Sequence, residues 1–164
     1  MNEEILQRAK KIKLLLMDCD GVLTDGRLYF TEAGEAIKVF HVRDGQGLIE
    51  WHRKGFHSGI ITGRNSDIIK KRATELGIKY VKIGSYNKVK DFEEILDSAK
   101  VCSEEVAFVG DDLPDVDVLR LVGLPIAVAD AENEVLMESA YITKAKGGFG
   151  AIREVTNLLI FAKK

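Results

Sequence analysis

The sequence predicts an α/β fold in three layers, a parallel sheet covered by helices on both faces, and three observations predict it. Short apolar runs of strand length recur at 13–18, 57–62, 79–83, 105–110 and 124–128, with a weaker sixth near 141–143. Between them stand amphipathic stretches at 45–54, 65–76, 87–99, 114–122 and 132–139, and a last one runs over 149–162. Strands that alternate with helices imply parallel pairing and burial of both sheet faces. Right-handed crossovers then give a Rossmann-like three-layer sandwich.

Taken in order, the opening "MNEEILQRAKKIK" is charged and helix-like, and "KLLLMD" is the first strand. The segment 27–42, "RLYFTEAGEAIKVFHV", breaks the rhythm: it reads as two strands around a Gly-containing turn, a β-hairpin. It follows the first strand directly, hence at the C-terminal edge of the sheet, where open α/β sheets bind ligands. In 65–76, Ile68, Ile69, Arg72, Ala73 and Leu76 recur at helical spacing and Gly77 follows as a C-cap. In 87–99, Val89, Phe92, Ile95, Leu96 and Ala99 share one side. Pro114 and Pro125 interrupt no long element, and no repeat or linker divides the chain. Residues 1–164 therefore read as one domain.

Bulk composition excludes several classes. The chain carries 24 basic and 26 acidic residues, a formal net charge of −2, which provides no field for nucleic acid. The apolar runs are far shorter than the roughly 20 residues that span a bilayer. The N-terminus lacks the apolar core of a signal peptide. Cys19 and Cys102 are too few for a disulfide framework and lack metal-ligand spacing. The expectation is a cytoplasmic protein with reduced thiols.

The chemistry collects at the strand ends. The first strand ends in Asp18-Cys19-Asp20-Gly21, the second in Thr62-Gly63-Arg64, and the fourth in Gly110-Asp111-Asp112, with Asp115 close behind. Ser85, Asn87 and Lys88 follow the third. A parallel sheet brings these ends to one crevice. Acids so close raise one another's pKa unless a cation joins them, and Mg²⁺, which takes carboxylates, waters and substrate phosphate, fits that need. Residues i and i+2 of an extended segment point the same way, so Asp18 and Asp20 face a common ligand. One can attack while the other handles a proton, the division that an aspartyl-phosphate mechanism requires. Thr62, with the turn at Gly63, suits a phosphate oxygen, and Lys88 suits the phosphate and the nucleophile as a point charge. Asp111 completes the metal site, with Asp112 or Asp115 in support.

"DCDGVLTDG", "ITGR", the lysine of "NKVK" and "GDDLPDVD" resemble, in order, the four motifs of the haloacid dehalogenase superfamily of phosphatases. The resemblance implies that Asp18 is the nucleophile and Asp20 the general acid/base. It implies that Asp18, the main-chain carbonyl of Asp20, and Asp111 hold Mg²⁺, with Asp112 and Asp115 as alternative or outer ligands. It implies that Thr62 and Lys88 bind the phosphoryl group.

No segment is long enough for a separate cap domain. The hairpin, "FHVRDGQGL" and the tail "KGGFGAIREV" resemble the small capless branch. That branch includes phosphatases of 3-deoxy-D-manno-octulosonate 8-phosphate and of nine-carbon sialic-type sugar acids. The resemblance implies a homotetramer in which a neighbour's hairpin helps to cover each site. A sugar acid's carboxylate calls for a bidentate cation, for which Arg43 and Arg64 are candidates. By resemblance Arg153, in the glycine-rich tail, contributes to substrate binding or closure, whereas Phe149 has no assigned role. By the same resemblance, arginine after the glycine of "TGR" implies the octulosonate, a precursor of outer-membrane sugar, since nine-carbon relatives can show an acid there. A phospho-receiver module uses similar residues but needs an acceptor aspartate at the tip of its third strand, where this chain reads "KIGSY".

Overall fold

A computed structural model of the chain describes residues 2–164, with Met1 outside them. Among these residues the main sheet has the order β5 (Tyr80–Ile83), β4 (His57–Thr62), β1 (Leu14–Met17), β6 (Val106–Gly110), β7 (Leu124–Ala127), β8 (Tyr141–Ile142). Every neighbouring pair runs parallel. The "LLLM" of β1 lies between two strands and two helical layers, which is why all four residues are buried. Its side chains alternate: Leu15 and Met17 pack with Trp51, Ile152 and Val155, whereas Leu14 and Leu16 pack with Phe92, Ile95 and Val118 on the other face.

The first face is covered by α1 (Glu3–Lys11), α2 (Val42–Arg53), α3 (Asp67–Leu76) and α7 (Ala151–Ala162). The second is covered by α4 (Lys88–Ala99), α5 (Val116–Leu119) and α6 (Asn133–Glu138). Local chemistry sets the helix ends. Asn2 caps α1 by accepting the Glu4 N–H at 3.0 Å, and Asn87 caps α4 by accepting that of Lys90 at 3.0 Å. Gly77 ends α3 at φ +69°. Trp51, fully buried, donates its indole N–H to the His57 carbonyl at 2.9 Å and stacks on Phe56. None of the described helices is long and apolar enough to cross a membrane. Cys19 is buried and Cys102 exposed, both free.

The inserted segment forms β2 (Tyr29–Thr31) and β3 (Gly34–Ile37), an antiparallel pair separate from the main sheet. Three elements depart from the expected bounds by more than two residues. The hairpin's second strand, expected within 27–42, ends at Ile37, and Val42 already starts α2. The helix expected over 114–122 shrinks to α5, because residues 113–115 form a 3₁₀ turn. There the Asp115 carboxylate reaches back to the N–H groups of Asp111 (3.0 Å) and Asp112 (3.4 Å). Conversely α2 starts three residues before the expected 45. Its glycines lower helix propensity, but buried Asp44 accepts the Arg153 N–H of α7 at 2.6 Å and fixes this first turn.

Candidate active site

The register of the sheet decides what meets at its C-terminal edge. Met17 pairs with Ile60 of β4 and Val109 of β6, and the Asp18 N–H continues the ladder to the Val109 carbonyl at 3.0 Å. The side chains that follow β1, β4 and β6 therefore open into one crevice of about 780 Å³. Asp18, Asp20, Thr62, Gly63, Arg64 and Lys88 all line it.

Lys88 lies at the first turn of α4 and is buried between two acids, 3.1 Å from Asp18 Oδ2 and 2.7 Å from Asp115 Oδ1. Burial alone would lower its pKa, but these two carboxylates outweigh it and the ammonium form is favoured. Asp115 has no solvent access and spends its other oxygen on the two backbone N–H groups. Asp18 is pushed up to about 6 by burial, with Lys88 opposing and Asp115 adding repulsion. Asp111 is pushed up to about 8 by burial and by the charges of Asp18 and Asp115.

One carboxylate oxygen each of Asp18, Asp111 and Asp115 lies within 4.8 Å of the others. Asp18 Oδ1 and Asp111 Oδ1 are buried without a hydrogen-bond partner. Two orphaned carboxylate oxygens facing one small space fit a hard divalent cation. The Asp111 carboxylate also presses on the backbone after Asp20: a Cβ at Gly21, whose φ is +88°, would lie 1.9 Å from Asp111 Oδ2. Glycine is required there by both conformation and contact.

Placement of the remaining expected residues is uneven. Asp20 does not join the carboxylate cluster with its side chain. Its Oδ1 is bound by Lys38 Nζ and its Oδ2 by Arg64 Nε at 3.1 Å, so only its main chain is left for a metal. Asp112 lines the crevice, but its carboxylate caps the Leu113 N–H at 2.8 Å. Asp115 has both oxygens engaged, one by Lys88 and one by the backbone N–H groups of Asp111 and Asp112. Thr62 and Gly63 stand as expected at the end of β4.

Two arginines do not reach the crevice. Arg43 is exposed on the first turn of α2, and Arg153 pairs with Glu50 at 3.3 Å between α2 and α7. Both belong to helices of the first layer, outside the lining of this chain's crevice. The tail's glycines are instead structural. Gly147 donates to Asp130 Oδ1 at 2.9 Å, Gly148 donates to the Val22 carbonyl at 3.0 Å, and a Cβ at Gly147 would strike the Gly21 carbonyl. They brace the loop that carries Asp20. Phe149 is exposed.

Sequence reasoning missed Lys38, Glu35 and Ser66, which form a chain of contacts onto Asp20. Their only signal was a lysine directly after the hairpin's second strand, at a buried position between exposed Ile37 and Val39.

The family model described as haloacid dehalogenase-like hydrolase matches residues 81–152. The chain is 41% identical over 161 residues to 3-deoxy-D-manno-octulosonate 8-phosphate phosphatase of Yersinia pestis, covering 98% of this chain and 86% of that protein. It is similar to the crystal structure of the Yersinia pestis enzyme, with a TM-score of 0.97 at 40% identity over 99% of this chain and 88% of that one. The Moraxella catarrhalis phosphatase of the same description, solved with a magnesium ion, a phosphate ion and a KDO molecule, gives a TM-score of 0.96 at 38% identity, covering 99% and 94%.

Proposed function

The chain belongs to the haloacid dehalogenase-like hydrolases, and from that premise we propose that it is a Mg²⁺-dependent phosphatase of 3-deoxy-D-manno-octulosonate 8-phosphate. One observation carries the chemistry: Asp18 presents an unpartnered, buried oxygen beside Lys88 and Asp111. The choice of sugar is supported by identity to the octulosonate phosphatases along nearly the whole chain.

Asp18 and Asp111, with the Asp20 main chain, are the residues that would hold Mg²⁺. Bound there, the ion supplies charge to neutralise the acids and the phosphoryl oxygens. Lys88, fixed by Asp115, adds a second positive charge beside the nucleophile. Thr62 offers its hydroxyl to a phosphoryl oxygen. Asp18 attacks phosphorus, the ester P–O bond breaks, and Asp20 gives its proton to the departing sugar oxygen. A water then attacks the phosphorus of the aspartyl-phosphate and passes its proton to Asp20, which frees Asp18 and phosphate. Arg64, half-exposed at the crevice, is the residue placed to meet the substrate's carboxylate.

We read residues 1–164 as one capless catalytic domain acting in the cytoplasm as a homotetramer. The hairpin supports assembly: Phe30 (59% exposed), Ile37 (54%) and Val39 (53%) leave apolar surface on it that a second copy would cover. The test is phosphate release from the octulosonate 8-phosphate with Mg²⁺. Wild-type protein turns over and stops with chelator, and Asp18→Asn is inactive; turnover indifferent to either change would refute the mechanism. A preference for nine-carbon sugar-acid phosphates would overturn the choice of substrate alone.

A further inference from the structure

Asp20 is held from two sides, and the two holds differ. Arg64 approaches from the crevice, with its side chain 36% exposed and Nε 3.1 Å from Asp20 Oδ2. Lys38 approaches from the opposite side, out of an adjoining groove lined also by Phe40 and Arg72, and lies outside the crevice lining. Its side chain is 1% exposed, and its Nζ contacts Asp20 Oδ1. Thr24 Oγ1 also reaches Oδ1, at 3.4 Å.

Lys38 is itself fixed. Glu35 Oε1 lies 2.9 Å from Nζ, and Ser66, the N-cap residue of α3, donates its hydroxyl to Glu35 Oε2. A lysine loses about 2 kcal/mol of rotamer freedom when ordered, so an exposed hairpin gains little by burying one. Among the described residues its ammonium meets carboxylates of Asp20 and of the residue that tethers it.

We infer that Lys38 is a positioning residue for Asp20: it pins Oδ1 from behind so that Oδ2 alone faces the leaving oxygen and, later, the attacking water. Arg64 covers Oδ2 until an anionic substrate draws the guanidinium away; Lys38 stays. The hairpin is thereby part of its own chain's catalytic machinery, whatever it does for a neighbour. The inference rests on the proposed phosphatase mechanism, which it deepens.

An aryl phosphate separates the two. p-Nitrophenolate leaves without a proton, so forming the aspartyl-phosphate from p-nitrophenyl phosphate does not need Asp20, whereas hydrolysing it does. In Lys38→Met, rapid mixing is expected to show one p-nitrophenolate released per site at near the wild-type rate. Steady turnover then falls roughly 10- to 100-fold, the scale of a misplaced catalytic group, and KM falls with it while kcat/KM is kept, because kcat/KM reports only the unaffected first step. Lys38→Arg, which restores the charge, is expected to recover part of that loss. First release and turnover falling together, or unchanged turnover, overturns the inference. The burst counts folded sites; if Lys38→Met does not fold, Glu35→Gln carries the test, with the same split expected at smaller size. A burst that persists in Asp18→Asn would instead overturn the phosphatase mechanism itself, so the two failures are distinct.

Discussion

Lys88 Nζ lies 2.7 Å from Asp115 Oδ1, at a carboxylate with no solvent access, and this contact aims the lysine at Asp18. Neither charge is replaceable alone. Lys88→Met leaves Asp115 buried and uncompensated, a loss of roughly 3–5 kcal/mol for breaking such a pair. We expect a large fall in Tm together with loss of turnover. Asp115→Asn keeps the shape and is expected to lower kcat more than Tm, since Lys88 loses its anchor but keeps Asp18. Denaturation and kinetics on the two variants check this; wild-type kcat in Asp115→Asn would contradict it.

Metal and pH are linked through Asp111. Its carboxyl, ordinarily near 3.8, is held up to about 8 by burial and by the Asp18 and Asp115 charges. A folded pKa above the unfolded one means that the folded protein holds the proton more tightly. That contribution is full below about 3.8 and is lost as pH rises to about 8. Mg²⁺ binds the carboxylate form, so its stabilising effect grows over the same window. The Mg²⁺-induced rise in Tm is therefore expected to be larger at about pH 8 than near 6, where Asp18 also titrates, and small in Asp111→Asn. Equal rises at both pH values, or an undiminished rise in the variant, would count against this site.

Gly21 tests the contact between the catalytic loop and Asp111. Alanine there meets a φ of +88° and places Cβ 1.9 Å from Asp111 Oδ2. The backbone cost is about 1–2 kcal/mol, and Asp111 must turn aside. Gly21→Ala is expected to need several-fold more Mg²⁺ for half-maximal activity, read from a metal titration, in addition to a lowered Tm.

Assembly through the hairpin has a separate consequence. Charging its exposed apolar residues with Phe30→Glu and Ile37→Glu adds buried charge to any interface there while leaving the main sheet untouched. Light scattering on the eluted protein is expected to give the monomer mass for the double variant and a tetramer for the wild type. A variant of unchanged mass would place the interface elsewhere.

The sheet was legible because its strands are short, apolar and evenly interleaved with helices; β1, β4, β6 and β7 fall within a residue of their expected bounds. The cluster of Asp18, Lys88 and Asp111 was legible because a parallel sheet forces strand ends together, so linear order is enough. Asp20's side-chain partners were not. Lys38 meets Asp20 only through the path of the hairpin, and nothing in "GEAIKVF" says which side that lysine takes. Asp112 and Asp115 were indistinguishable in sequence because both follow β6 closely. Only the 3₁₀ turn at 113–115 buries one and exposes the other. Arg153 was a candidate through resemblance alone; within this chain the tail's glycines touch the loop after Asp20, and Arg153 pairs with Glu50.

The central claim is that Asp18 carries the phosphoryl group. The most direct measurement is a single-turnover reaction with the octulosonate 8-phosphate and Mg²⁺, quenched in acid, reduced with borohydride and mapped by mass spectrometry. An aspartyl-phosphate is reduced to homoserine, so the account predicts homoserine at position 18, absent in Asp18→Asn and, with p-nitrophenyl phosphate in place of the sugar ester, more abundant in Asp20→Asn, where hydrolysis alone is slowed. Phosphate released in full from the octulosonate, with position 18 unmodified in every protein, would contradict it.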